Sequence, residues 1–560
     1  MIRSVQICWY INMFFSIMLC TIFEWHTVQA QPIGLHIPPD TLKLSRLTIA
    51  VYDVFDSTES FYKFRIAWLA NALHISTKPR IIRRELLFLS DSLITVPRLI
   101  ESAHNLRTMN IFQGVTLSVD TLAQGYGDVR VAVKDYFTTE ISTAYSIEGG
   151  KHRISAGLEE KNVAGLGYRC SIDASNKEDR EFLQVNYLNP RFFNTRFINT
   201  LVYKRYKDAT LASLELDKCF YSQETQWDGG ADYMKSTGKQ VIYTSSSEYI
   251  KTDRFTEKYS LHYGYYWGTS VRKRIGFHIY HLNEHWIDVG SPFSVTSVSG
   301  GTEYNRRIRR ISCSIGAIRR SISVHQNIDR SDVDEDIHTG FMANGGIGYE
   351  SPKWGADKER FVYSISGVYG SQITTNNYVF AELNDGRTTT VNTSEEHITN
   401  ARLTFFSTSI EYHTITARAE FNYLNLPHPY FQLYLGEDTG LRGYANREFI
   451  ANQRVVVGIE DRIFTPFQLW FVRLGAAIFI DGGTVWNGTD ELKTGQWHTS
   501  TGFGLRLGIP KISRGIIRID CAYNVDRKRF MTLSLSNGSF FNVLYPIGFG
   551  IQNFLLSVMN

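Results

Sequence analysis

Along most of the chain, apolar and polar residues alternate one for one in segments of about ten residues. Leu505, Leu507 and Ile509 alternate with Arg506 and Gly508. Ile517, Ile519, Cys521 and Tyr523 alternate with Arg518, Asp520, Ala522 and Asn524, and Met531, Leu533 and Leu535 with Thr532, Ser534 and Ser536. A period of two puts alternate side chains on opposite faces of a strand, so each segment predicts a β-strand with one apolar face. Such segments recur from Phe137 to Phe541, joined by Gly/Asn/Asp turns or long polar loops. Alternation alone fits either a soluble sandwich with an apolar interior or a membrane barrel with an apolar exterior.

Residues 44–135 have a different rhythm. Leu47 to Tyr52 reads as a strand, Phe61 to Leu73 suits a helix, and Leu99, Ala103 and Leu106 fall at helical spacing. Val115–Val119 and Val129–Val133 then alternate as strands, separated by the turn-rich Gly125-Tyr126-Gly127-Asp128. A β-α-α-β-β module is predicted.

Composition separates the two readings of the long region. Of 560 residues, 43% are hydrophobic and 14% aromatic, and 43 Gly against 13 Pro favours strands over helices. Mean hydropathy is −0.20. No apolar run beyond the N-terminus approaches the roughly 20 residues of a membrane helix. The N-terminus itself, with Arg3, an apolar run from Ile7 to Trp25 and Val28-Gln29-Ala30, reads as a secretory signal over residues 1–30 cleaved after Ala30. Export, aromatic content and more than a dozen candidate strands favour a barrel, whose closure leaves no unpaired strand edge in the bilayer. The net charge of +4, from 59 basic and 55 acidic residues, is no nucleic-acid footprint. Cys170, Cys219, Cys313 and Cys521 are widely spaced, which favours isolated thiols and settles no pairing.

Several stretches carry a resemblance: IIRRELLFLSDSL (81–93), HNLRTMNIFQGVTLSV (104–119) and VRVAVKDYFT (129–138) in the first region, then LGEDTGLRGY (435–444), VGIEDRIF (457–464), FIDGGTVW (479–486) and FGLRLGIP (503–510). Their order and spacing resemble a POTRA domain followed by the barrel of the BamA/TamA outer-membrane assembly-factor superfamily. The resemblance implies a mainly β chain: a sixteen-stranded transmembrane antiparallel β-barrel over residues 137–541, preceded by one N-terminal α+β POTRA domain over 44–135. It places the barrel in the outer membrane of a Gram-negative-type cell and the POTRA domain in the periplasm. It also implies that the sixth extracellular loop folds into the lumen and carries an Arg-Gly-Tyr/Phe motif. Well-known members have several POTRA repeats, whereas this chain has room for one. Residues 542–560 continue past the last clear strand as an extension of open placement.

Leu441-Arg442-Gly443-Tyr444 matches that loop motif. Strand parity puts Val455, Val457, Ile459 and Ile463 outward and Glu460 and Arg462 inward, with Ile478 and Ile480 outward and Phe479, Asp481 and Gly483 inward. Glu460 and Asp481 thus share the lumenal face of adjacent strands. A returning loop that presents Arg442 between them would gain charge-assisted, bidentate hydrogen bonds. Gly443 would permit close backbone approach and Tyr444 would pack on the wall. Asp461 falls on the outward parity, tolerable only near the membrane surface.

Other motifs carry less. His281-Leu282-Asn283-Glu284-His285 matches an inverted zinc-protease motif, which needs a helix, yet the residues before it alternate like a strand. Asp332 to Asp336 begins like a calcium loop but has Ile337 where Gly is required, and reads as a solvated loop. Arg306, Arg307, Arg309, Arg310, Arg319 and Arg320 flank a strand and suit the headgroup region. The expectation is a non-enzyme with no cofactor or metal and no nucleic-acid partner, in contact with outer-membrane lipid. It would assist insertion or assembly of outer-membrane proteins or components, with unfolded substrates captured through the POTRA domain. A translocator for one dedicated exported substrate, as in two-partner secretion, and a passive pore are the alternatives.

Overall fold

The computed structural model describes residues 35–36, 41–55, 65–88, 92–122, 125–148, 151–177, 180–243, 249–287, 303–390, 393–425, 432–469, 472–488, 496–509 and 516–537. The predicted signal segment, the start of the Phe61–Leu73 helix and residues 542–560 lie outside the described residues.

The first region folds around a five-stranded sheet. Its strands are β1 (Leu35–His36), β2 (Leu42–Tyr52), β3 (Leu93–Ile94), β4 (Phe112–Thr121) and β5 (Tyr126–Asp135), in the order β1-β4-β5-β2-β3. Helices α1 (Arg65–Leu73), α2 (Pro79–Glu85) and α3 (Val96–Thr108) complete it. Leu99, Ala103 and Leu106 bury their helical stripe with Leu117, Val129, Val131 and Val133. The opposite face of α3 is polar. Glu101, His104 and Arg107, again three residues apart, project away from this core toward the second region.

From β6 (Thr139–Glu148) to β27 (Arg529–Asn537), the chain forms a closed antiparallel barrel. Its outer face is apolar: Ile141, Leu158, Ile172, Val185 and Tyr203 pair in a row across five consecutive strands and are all exposed. An apolar exterior on a closed ladder is the arrangement that hydrocarbon stabilises. No described helix is long and apolar enough to cross a membrane.

The barrel differs from the expected one in number. Twenty strands close the sheet among the described residues, not sixteen. Sixteen was the number implied by the resemblance. Residues 139–218 alone contribute six strands of nine to thirteen residues, each with the period-two pattern that makes a strand. An even number lets β27 meet β6 antiparallel. Among the described residues that junction is short, four paired residues against ten for β6 with β7 (Lys151–Val163) and eight for β26 (Ile516–Asn524) with β27.

Between β15 (Glu303–His325) and β16 (Glu335–Glu350), residues 326–334 fold into the barrel rather than into solvent. Ile328 enters an apolar cluster with Ile318, Ile337, Tyr378, Phe380 and Phe406. Thr414 donates to the Asn327 carbonyl at 2.6 Å, and Arg473 to Asp332 at 2.6 Å. Asp336 accepts from His104 at 2.8 Å and from Arg107 at 2.5 and 2.9 Å. Burial holds the His104 imidazole below its ordinary pKa. Its Nδ1–H is therefore the donor to the carboxylate, which can only accept. The reading of Asp332–Asp336 as a solvated loop is thus corrected in part: Asp332 is exposed as expected, whereas Val333 and Glu335 are buried and Asp336 is paired with His104 and Arg107. The basic cluster is corrected for three of its six arginines, while Arg307 and Arg319 are exposed. Arg306 pairs with Glu396, Arg310 with Glu350 at 2.5 Å and Arg320 with Glu101 at 3.2 Å, all buried rather than at headgroups.

Cys170, Cys219, Cys313 and Cys521 are free thiols. His281 and His285 lie in a strand, Arg272–Ile287, where residues four apart are spread along an extended chain, unlike on a helix. The continuous ladder predicts heat-modifiable migration: unboiled protein in SDS should run differently from boiled protein. Identical migration, with release from membranes by alkaline carbonate, would contradict a membrane barrel.

Candidate functional site

The loop between β20 (His413–Asn425) and β23 (Gln453–Leu469) opens with a small hairpin, β21 (Leu433–Leu435) and β22 (Phe449–Ala451), which brackets residues 436–448. Gly440 (φ 112°) and Gly443 (φ 84°) hold left-handed backbone that favours glycine. Leu435, Leu441 and Tyr444 bury against Val456, a residue of inward parity on β23. The polar stretch is thus carried into the lumen by three apolar side chains.

Between those side chains lies Arg442, 1% exposed. Its Nε and Nη2 donate to the two oxygens of Asp481 at 2.7 and 2.9 Å, and its Nη1 to Glu460 at 2.7 Å. The guanidinium lies 3.3 Å from the centre of the Phe479 ring. Glu460 on β23 pairs in register with Phe479 on β24 (Val472–Trp486), so Asp481 stands two residues along on the same face. Period-two geometry therefore sets both carboxylates on one side, about 7 Å apart along the strands, a span that one planar fork bridges. Next to them, Gly502 on β25 (His498–Gly508) leaves room for the Phe479 ring, which a Cβ there would approach to 2.4 Å.

Gly443 accepts from Asn524 at its carbonyl, 2.9 Å, and the Tyr444 hydroxyl donates to Asp526 at 2.8 Å. Asp526 also accepts from His498 at 2.7 Å. All five sequence-predicted residues, Arg442, Gly443, Tyr444, Glu460 and Asp481, meet on the inner wall between β23 and β26.

The cluster extends further than sequence reasoning placed it. Glu460 also accepts from Arg462 at 2.8 Å, and Arg462 donates to Asp329 at 2.5 Å and to the Ile328 carbonyl at 2.9 Å. Asp520 pairs with Arg506 at 2.5 Å and with Arg518 at 3.2 Å. Four guanidinium groups thus face four carboxylates, so the buried set carries no net charge and each ion has a partner. The inward parity of Arg462, Arg506, Arg518 and Asp520 was legible, but their convergence on Glu460 was not. Asp329 gave no local signal, because its turn reads as polar loop. Asp461, of outward parity, is compensated by His413 at 2.9 Å, close to the start of β20.

A model of the Omp85 superfamily domain matches residues 162–541, more than half of the chain. The chain belongs to the Omp85 superfamily. Among solved structures, this Omp85 chain is similar to BamA from Haemophilus ducreyi lacking POTRA domains 1–3, at 12% identity over 88% of this chain and 85% of that one, with a TM-score of 0.38. It is similar to CdiB from Acinetobacter baumannii, at 12% identity over 88% and 73%, TM-score 0.42, and to CdiB from Escherichia coli, at 10% over 88% and 76%, TM-score 0.40. No curated protein sequence matches it.

Replacing Arg442 tests the cluster. Arg442→Ala leaves Glu460 and Asp481 buried without their shared counter-ion, a loss of about 3–5 kcal/mol to the docked loop. The ladder is far larger than this, so heat-modifiability should persist while protease sensitivity rises near residues 436–449. Arg442→Lys should rescue poorly, since a point charge cannot bridge both carboxylates in one plane. Unchanged protease sensitivity in both variants would show that the ion pairs do not hold the loop.

Proposed function

We propose that this Omp85 protein assists insertion or assembly of outer-membrane proteins, with residues 44–135 as a periplasmic POTRA domain and residues 137–541 as the barrel. The observation that carries the reading is the junction of β27 with β6, whose four paired residues make it far weaker than its neighbours. A weak seam opens at the smallest loss of backbone hydrogen bonds, and an incoming strand restores them by pairing with the freed edge.

The module is placed to feed that seam. Its last strand ends at Asp135 and β6 begins at Thr139, so only three residues separate the sheet from the first seam strand. On the far side of the sheet, β1 covers two residues of the ten-residue β4 among the described residues, and the rest of that edge is where an extended segment would join. In this reading Arg442, Glu460 and Asp481 serve as the anchor that keeps the loop in the lumen while the seam works. No covalent step is required, so the activity is that of a scaffold rather than an enzyme.

A translocator for one dedicated substrate would use the same parts. The lumen counts against a passive pore, because residues 326–334 and 436–448 enter it from opposite ends and meet at Glu460 and Arg462. A photo-crosslinker at Thr116, exposed on β4, should capture outer-membrane barrel precursors in growing cells. Capture of one secreted protein alone would replace the insertion reading with the translocator; absence of any adduct from this edge would contradict both.

A further inference from the structure

Helix α1 presents its apolar side outward. Trp68, Leu69, Leu73 and the following Ile75 are 59, 47, 65 and 57% exposed. The orientation is fixed from the other side. Asn71 accepts from the Phe55 amide at 3.1 Å and donates to its carbonyl at 2.9 Å, and His74 pairs with Asp135 at 2.9 Å. A contiguous apolar face that the fold holds toward the outside marks a contact surface.

Its position says what lies against it. Ala70 and Phe137 both pack against Val54 and Phe55, and one residue, Thr138, separates Phe137 from β6. Four residues on from Phe137, Ile141 begins the outward apolar row that continues through Leu158 and Ile172. Four extended residues span roughly 13 Å. Beyond its other end, the segment that joins α1 to α2 abuts the turn between β7 and β8 (Tyr168–Lys177), where the Lys78 amide donates to the Gly165 carbonyl at 3.1 Å. Beside that turn on the same rim, Phe193 is 83% exposed. Helix α1 is thus held at the rim of the barrel, beside the start of the lipid-facing row. Its charge fits the same surface: residues 65–84 contain Arg65, Lys78, Arg80, Arg83 and Arg84 and no acidic residue.

We infer that α1 is an interfacial helix, seated with Trp68, Leu69, Leu73 and Ile75 in the membrane leaflet at the module end of the barrel. A helix with a Trp-bearing apolar face and a basic segment after it lies in the plane of the interface, apolar side among the acyl chains and cations toward anionic headgroups. The inference rests on the membrane-barrel reading and adds to it a lipid contact for the N-terminal module. By this contact the module is held at the bilayer directly below β6, one of the two seam strands. The sheet edge at β4 then sits at a set height and angle to the seam, which tethering through residues 136–138 alone would leave free.

Tryptophan emission tests this in the full-length protein, reconstituted in vesicles of zwitterionic and anionic phospholipid whose acyl chains are brominated near the headgroup. Subtracting the spectrum of Trp68→Phe from that of the unaltered protein isolates Trp68. That difference spectrum should lose most of its intensity in brominated vesicles and little on adding iodide. Quenching by iodide and not by bromine, while the remaining tryptophans are quenched by bromine, would put α1 in water and overturn the inference with the barrel still in the bilayer. Quenching by neither, again with the other tryptophans quenched by bromine, would mean that protein covers the face, and would overturn it equally. If bromine quenched no tryptophan at all, the membrane reading itself would fall.

Discussion

A guanidinium buried at mid-barrel organises this molecule. Arg442 comes from a loop that enters at one end, and its two carboxylates stand on adjacent strands of the wall. Taking such an ion out of water costs several kcal/mol, which only well-placed partners repay. The protein supplies three such partners: Asp481 with both oxygens, Glu460 with one, and Phe479 with its ring face. The arrangement is geometrically demanding, because the loop must adopt left-handed backbone at Gly440 and Gly443 to deliver the side chain. Once delivered, it ties the most variable kind of segment, a long loop, to the most rigid part of the fold.

The same carboxylate joins that loop to the opposite end of the barrel. Glu460 holds Arg462, Arg462 holds Asp329 and the Ile328 carbonyl, and just past the turn that contains them Asp336 of β16 lies under His104 and Arg107 of α3. A twenty-stranded outer-membrane barrel encloses more space than its own side chains fill, and these two inserted segments occupy it. Ile328 and its apolar neighbours stabilise one of them, and Leu441 and Tyr444 the other. Polar pairs set the position of each segment, and apolar contacts supply the burial that keeps it there.

Legibility in the sequence tracks the range of each signal. Strand parity is local, so Glu460 and Asp481 could be placed on the inner face from their immediate neighbours, and the stripe of α3 could be read from Leu99, Ala103 and Leu106. Asp329 could not. It sits in a run of Asn, Asp, Arg and Ser that looks like any solvated turn, and the arginine that pairs with it, Arg462, is more than a hundred residues away. Arg306, Arg310 and Arg320 were misread for the same reason, since the carboxylates that desolvate them come from other strands and from α3. The strand number failed differently. Residues 139–218 carry their own alternation, but sixteen came from the family resemblance and not from these segments.

The central claim is that residues 441–444 rest against the inner wall, and a disulfide tests it most directly. A Cβ at position 443 would lie 3.5 Å from that of Ser500, within reach of a disulfide. With Cys170, Cys219, Cys313 and Cys521 replaced by serine, the pair Gly443→Cys and Ser500→Cys should oxidise in intact membranes. The product should show as a changed mobility on non-reducing gels that reductant reverses. The contradictory result is a thiol at position 443 that reacts with a membrane-impermeant maleimide from outside the cell, while the one at position 500 remains reduced and unlinked.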